Sequence, residues 1–182
     1  MDGCLKNKRK MKNKIFDFLT RNSDTDGNAP QNVVVNRTVE GTVFEVVASL
    51  AIVALWAAVV YMIVKSGGRP IPTHFDIAGN PDEYGSPYWL LLVGGVGTFV
   101  GGYYMLAAYH PTTWISMSFP VRTPRQIKHI VRWSRLMAVE VPLFCIVLTF
   151  SGFEMISPLL KVMIFIMMAT CIGGGIMIKY AK

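Results

Sequence analysis

The chain has 182 residues, of which 52% are hydrophobic and only 16% charged, with a formal net charge of +7. A water-soluble domain carries about 25% charged residues, so this composition excludes a polar surface over most of the chain. It also argues against a nucleic-acid partner, because the cations follow the edges of apolar blocks instead of forming one basic face.

Residues 1–43 read as a polar, basic cytoplasmic tail with Lys6, Lys8, Arg9, Lys10, Lys12 and Lys14. No apolar stretch or small-residue cleavage site follows closely, so the segment does not read as a signal peptide. Its composition predicts a solvated tail. The transmembrane domain is predicted over 44–182.

Span one is predicted over about 44–64. Thr42-Val-Phe-Glu45 has the spacing of a capping box, which places the helix start there. Ten residues from Val46 to Val64 are Val, Ile or Leu. At ~0.4 kcal/mol each they favour insertion by roughly 4 kcal/mol. Residues 66–87 then form a polar loop. Pro70 and Pro72 impose extended backbone, and Gly79-Asn-Pro-Asp82 reads as a tight turn.

Span two is predicted over about 88–109, with Tyr88 and Trp89 at one interface and Tyr103, Tyr104 and Tyr109 at the other. Gly94, Gly97 and Gly101 fall along one stripe, and Gly97 and Gly101 have small-xxx-small spacing. Such a stripe accepts another span or a second copy of the chain.

Thr123-Pro-Arg-Gln126 predicts the start of a long third helix, with Thr at the cap, Pro at the first helical position and Gln at the third. The pattern runs to about Gly152, roughly 43 Å, longer than the ~30 Å bilayer core. Its first turns, with Arg125, Lys128, Arg132 and Arg135, therefore belong to the interface. The span itself is placed at about 136–155, with Pro142 as a kink that membranes tolerate. A tight turn over 151–157 leads to span four at about 158–178, in which Ala169 and Gly173 form another small-xxx-small pair.

Orientation follows from the cations. Of 18 Lys and Arg residues, only Lys65, Arg69 and Lys161 fall on the side of the first loop. The expected fold is an all-α integral membrane protein, a four-transmembrane-helix bundle with both ends in the cytoplasm. The first loop is then extracytoplasmic.

Ile71-Pro-Thr-His-Phe-Asp76, with Gly79, Pro81-Asp82 and Gly85, lies just after a first span. In this it resembles a bacterial membrane family known as domain of unknown function 1648. That pattern is a Pro-x-His-Phe-(Asn or Asp) run, a glycine a few residues on, and a Pro-Asp turn. The resemblance covers about residues 44–150. Ser86-Pro87 stands where family members often carry a Lys. The resemblance implies a multi-pass protein of the bacterial cytoplasmic membrane. In one architecture of the family the module begins an immunity protein that protects against, and signals, a secreted antimicrobial peptide.

Two groups of residues are candidate sites. The first-loop group comprises Pro72, His74, Phe75, Asp76, Gly79, Pro81 and Asp82, read as a peptide- or partner-binding surface. His74 and Asp76 alone do not make a metal site, since a structural zinc needs four ligands. The second group lies at the inner interface: Glu45 opening span one, His110 closing span two, and Glu140 inside span three. An intramembrane acid is a functional candidate by default, and Glu140 is expected to bond His110 or a cation of the second loop. No nucleophile with a base, phosphate-cradling loop or metalloprotease helix is present, so no enzyme, cofactor or metal is predicted. The functional expectation is an immunity- or sensor-type protein whose outer loop meets an extracellular peptide or membrane-protein partner. A small transporter or channel subunit is the alternative.

Overall fold

The computed structural model describes residues 33–76, 81–150 and 157–181, and it is mostly helical. The sequence-predicted positions in 1–32, Gly79 with its turn, and the link over 151–156 lie outside the described residues. The third span's last predicted residues fall there too.

The first helix, α1, spans Val39–Ser66. It starts before the predicted Phe44, and its cap is Thr38, not Thr42. The Thr38 side chain accepts from the Gly41 amide at 3.1 Å. Thr42 lies inside the helix, where its hydroxyl donates to the Thr38 carbonyl at 3.2 Å. Glu45 is taken up by Arg37 instead of capping. At the far end Gly67 and Gly68 adopt φ of 58° and 80°. That left-handed backbone strains any residue with a Cβ, so helix termination there depends on glycine. A stripe of Ala48, Ala51, Leu55, Val59 and Met62 is buried, while Val46, Leu50, Val53, Val60 and Val64 are exposed. A helix apolar all round is a membrane helix.

The predicted loop contains a two-stranded antiparallel hairpin, β1 (Ile71–Phe75) and β2 (Pro81–Gly85). The rest of the described fold is helical, consistent with the all-α expectation. Pro72 and Pro81 argue against strands in a sheet interior, but in a two-stranded sheet both strands are edges and the missing amides can face outward.

Helix α2 spans Trp89–Ala107 and buries Gly94, Gly97 and Gly101. Its stripe meets other helices of the same chain: Gly94 faces Trp56 and Val59 of α1, and Gly97 faces Leu55 of α1. Trp56 Nε1 also donates to Thr98 Oγ1 at 2.9 Å. A short helix α3, Pro111–Trp114, follows. It is fastened by the Tyr103 hydroxyl, which donates to the Trp114 carbonyl.

Helix α4, Pro124–Thr149, has the predicted capping box. Thr123 Oγ1 accepts from the Gln126 amide, and Gln126 Oε1 accepts from the Thr123 amide. Helix α4 is central, touching α1, α2 and α5. Helix α5 covers Ser157–Tyr180. It lies at the edge, with Phe165, Met168, Ile172 and Ile176 exposed. The predicted pair of Ala169 and Gly173 does not make its contact. Gly173 has nothing near it, whereas Gly174 lies on the Trp133 indole of α4.

The segment before α1 is not wholly a solvated tail. Its Val35 amide donates to the Tyr109 carbonyl at 2.9 Å, and its Val33 amide to Thr112 Oγ1 at 3.0 Å. Both valines pack on Ala108, Ile127 and Val131. Among the described residues three helices are long and apolar enough to cross a membrane: α1, α2 and α5 from Pro158. Their exposed apolar faces mark a membrane protein.

Candidate functional site

The two candidate groups lie at opposite ends of the bundle. At the hairpin end, β1 and β2 pair Ile71 with Gly85, Pro72 with Tyr84, His74 with Glu83 and Phe75 with Pro81. The register shifts on both sides of His74. Gly85 is required by close approach, since a Cβ there would lie 2.9 Å from Thr73 Cγ2 across the pair. The irregular register brings His74 Nδ1 to 2.6 Å from Asp82 Oδ1.

Sequence reasoning grouped His74 with Asp76; the structure pairs it with Asp82, across the hairpin. Asp76 follows β1 and is exposed. The hydrogen bond to Asp82 raises the His74 pKa above its ordinary 6.5, with that carboxylate's charge and then Glu83 adding to the effect. The imidazole is 65% exposed, so solvent screens the pair. Chemically, this end offers a braced imidazole–carboxylate pair on an exposed hairpin, able to exchange hydrogen bonds with a partner's main chain or charged groups. Among the described residues no three His, Cys, Asp or Glu side chains come together as a metal site.

At the basic end Glu45, His110 and Glu140 are not brought together. His110 is exposed and opens α3 through its carbonyl, which accepts from the Thr113 and Trp114 amides, each at 3.1 Å. Glu140 does not bond His110 or a loop cation. Its Oε1 accepts from Thr170 Oγ1 of α5 at 2.8 Å. The reason is position: the side chain faces the α4–α5 seam, where Trp133 Nε1 also donates to the Thr170 carbonyl at 3.2 Å.

Glu45 instead joins a network that sequence reasoning missed. Arg37 pairs with Glu45. Arg132 grips Glu40 through Nε at 3.1 Å and Nη2 at 3.4 Å. Arg135 Nη1 stands 4.0 Å from Glu40 Oε1, and its side chain is only 7% exposed. Gly41 makes room for it, since a Cβ there would lie 2.7 Å from Arg135 Nη2. The available signal was the spacing Arg132–Arg135 together with Glu40 in the first turn of α1. A buried arginine demands a carboxylate neighbour, and Glu40 comes close only once α1 starts at Val39.

No known protein family, curated protein or solved structure matches the chain.

Proposed function

We propose that the chain is a four-span protein of the bacterial cytoplasmic membrane, both ends inside, whose outward hairpin binds an extracellular peptide as part of a sensor or immunity function. The observation that carries this reading is the pairing of β1 with β2. The hairpin is the polar, exposed element between two membrane-crossing helices, tied closely to both and braced by His74 and Asp82. Edge strands can receive an extended partner through main-chain hydrogen bonds, and Asp82 and Glu83 would favour a cationic one. The resemblance of residues 71–85 to the family named above points the same way.

Helix α4 supplies the fourth span in this reading. Its first half carries Arg125, Lys128, Arg132 and Arg135, but from Leu136 to Thr149 the only charged residue is Glu140. At about 1.5 Å per residue its 26 residues reach roughly 39 Å, enough to start in the interface and enter the core. The cation distribution supports the basic end as the cytoplasmic one.

The test has two arms. Single cysteines at Ser86 and Arg125 are probed in intact cells with an impermeant thiol reagent; labelling at 86 alone is expected, and labelling at 125 alone overturns the orientation. A deletion strain is then challenged with cationic antimicrobial peptides. Selective sensitivity is expected, restored by the wild-type gene but not by His74→Ala or Asp82→Ala variants that insert normally. Unchanged peptide sensitivity with altered uptake of a small solute would favour a transporter instead.

A further inference from the structure

Four buried polar atoms have no hydrogen-bond partner among the described residues: Glu140 Oε2 at the α4–α5 seam, and Glu45 Oε1, Tyr109 Oη and Arg135 Nη2. The last three belong together. They come from three different places, namely α1, the residue pair after α2, and α4. All three residues line one cavity of about 10 Å3, walled otherwise by apolar groups such as Phe44 and Met105. Leaving such groups dry is unfavourable, so three around one cavity signal an occupant.

We infer that this cavity is a binding site for a single structural water shared by Glu45, Tyr109 and Arg135. Size decides first. A water needs roughly 10–15 Å3 of such space and two to four polar partners, and the cavity meets both conditions at the lower limit of volume. Chemistry decides second. Arg135 Nη2 and the Tyr109 hydroxyl are donors, and Glu45 Oε1 is an acceptor. A water can accept from the first two and donate to the third. A cation would face the Arg135 guanidinium, and a halide would face the Glu45 carboxylate; each is also penalised by desolvation in so small a space.

The water completes a connected polar network. Arg37 occupies the other Glu45 oxygen, which leaves Oε1 free to face the cavity. On the far side Arg135 approaches Glu40, which also holds Arg132. The chain of contacts then runs from the segment before α1, through the water, to α4. It gives the nearly buried Arg135 Nη2 an acceptor while Nη1 faces Glu40, and it adds a link among α1, the residues after α2 and α4 to the direct Arg132–Glu40 contact. Beside the cavity an open groove of about 250 Å3 between α1 and α2 shares Glu45, Met105 and Tyr109 with it.

The test is a structure of the full chain in a lipid nanodisc at a resolution that shows waters, with a matching sample in bromide. One water within about 2.7–3.2 Å of all three atoms, and no bromide signal, is the expected result. A dry cavity, a bromide peak there, or Glu45 Oε1 bonded directly to Arg135 would each overturn the inference. Stability gives a second reading that does not depend on resolution. Tyr109→Phe and Glu45→Gln keep shape and are expected to lower Tm by about 2–4 °C each. Because both act on the same water, the double variant should fall short of the sum. Full additivity would show that the two groups do not share a bound molecule.

Discussion

Gly101 of α2 lies so close to Pro142 of α4 that a Cβ on the glycine would sit 2.9 Å from the proline Cγ and 3.3 Å from the Ala138 carbonyl oxygen. The two facts have one cause. Proline has no amide to give to the carbonyl four residues earlier, so the Ala138 oxygen is left without its usual helical partner. The glycine brings a Cα hydrogen toward that oxygen, a weak but recurrent contact between helices.

This makes Gly101 intolerant of any side chain. Gly101→Ala meets a rigid ring and backbone, so overpacking of about 1–3 kcal/mol is expected. Gly102 has open space around it, and Gly102→Ala should be neutral or stabilising by up to ~1 kcal/mol. Thermal unfolding of the two variants in the same micelles checks this. Equal stability would mean that α2 does not pack on α4 in this register.

The seam between α4 and α5 depends on Thr170. Thr170→Val keeps the volume but removes the donor to Glu140, and interhelical hydrogen bonds in membranes contribute about 0.6–1.7 kcal/mol. A loss in that range is expected, with Thr170→Ser close to wild type. A Val variant as stable as the Ser variant would show that Glu140 finds its partner elsewhere.

Local rules were readable where one segment decides the outcome by itself. The Thr123-Pro-Arg-Gln126 cap formed as spaced, and the Gly94–Gly97–Gly101 stripe was buried as patterned. Features set by long-range partners were not readable. Thr38 and Thr42 are both plausible caps, and the choice goes to the one that leaves Glu45 free for Arg37. Gly173 and Gly174 differ only in which one the Trp133 ring covers. His74 is followed in sequence by Asp76, Asp82 and Glu83, and the bulged register of the hairpin selects Asp82. The buried Arg135 site needs α1, the residues after α2 and the middle of α4 at once, and no window of sequence contains it.

The His74–Asp82 pair makes the hairpin sensitive to pH. A histidine whose folded pKa is raised stabilises the fold fully below its unfolded value of 6.5, and that contribution is lost as pH climbs through the raised value. Hairpin order should therefore weaken as pH rises through that raised value. Asp82→Asn should bring the His74 pKa down toward 6.5, and Glu83→Gln should move it less, since Asp82 is the larger cause. NMR titration of the imidazole, assigned with a His74→Gln variant, measures both shifts. An Asp82→Asn variant with unchanged titration would dissolve the pair.

Thr123 has two tasks at the start of α4. Its side chain accepts from the Gln126 amide at 3.2 Å and donates to the Ala181 carbonyl at 3.1 Å, so one hydroxyl caps α4 and holds the end of α5. Removing an N-cap side chain costs about 0.5–2 kcal/mol. Thr123→Ala should therefore lose hydrogen-exchange protection at the Gln126 amide and, in the same variant, at the amides of the last turn of α5. Thr123→Ser keeps the hydroxyl and should preserve both. The two readouts separate the two tasks: loss at Gln126 with unchanged protection in α5 would mean that the end of α5 is held by other contacts.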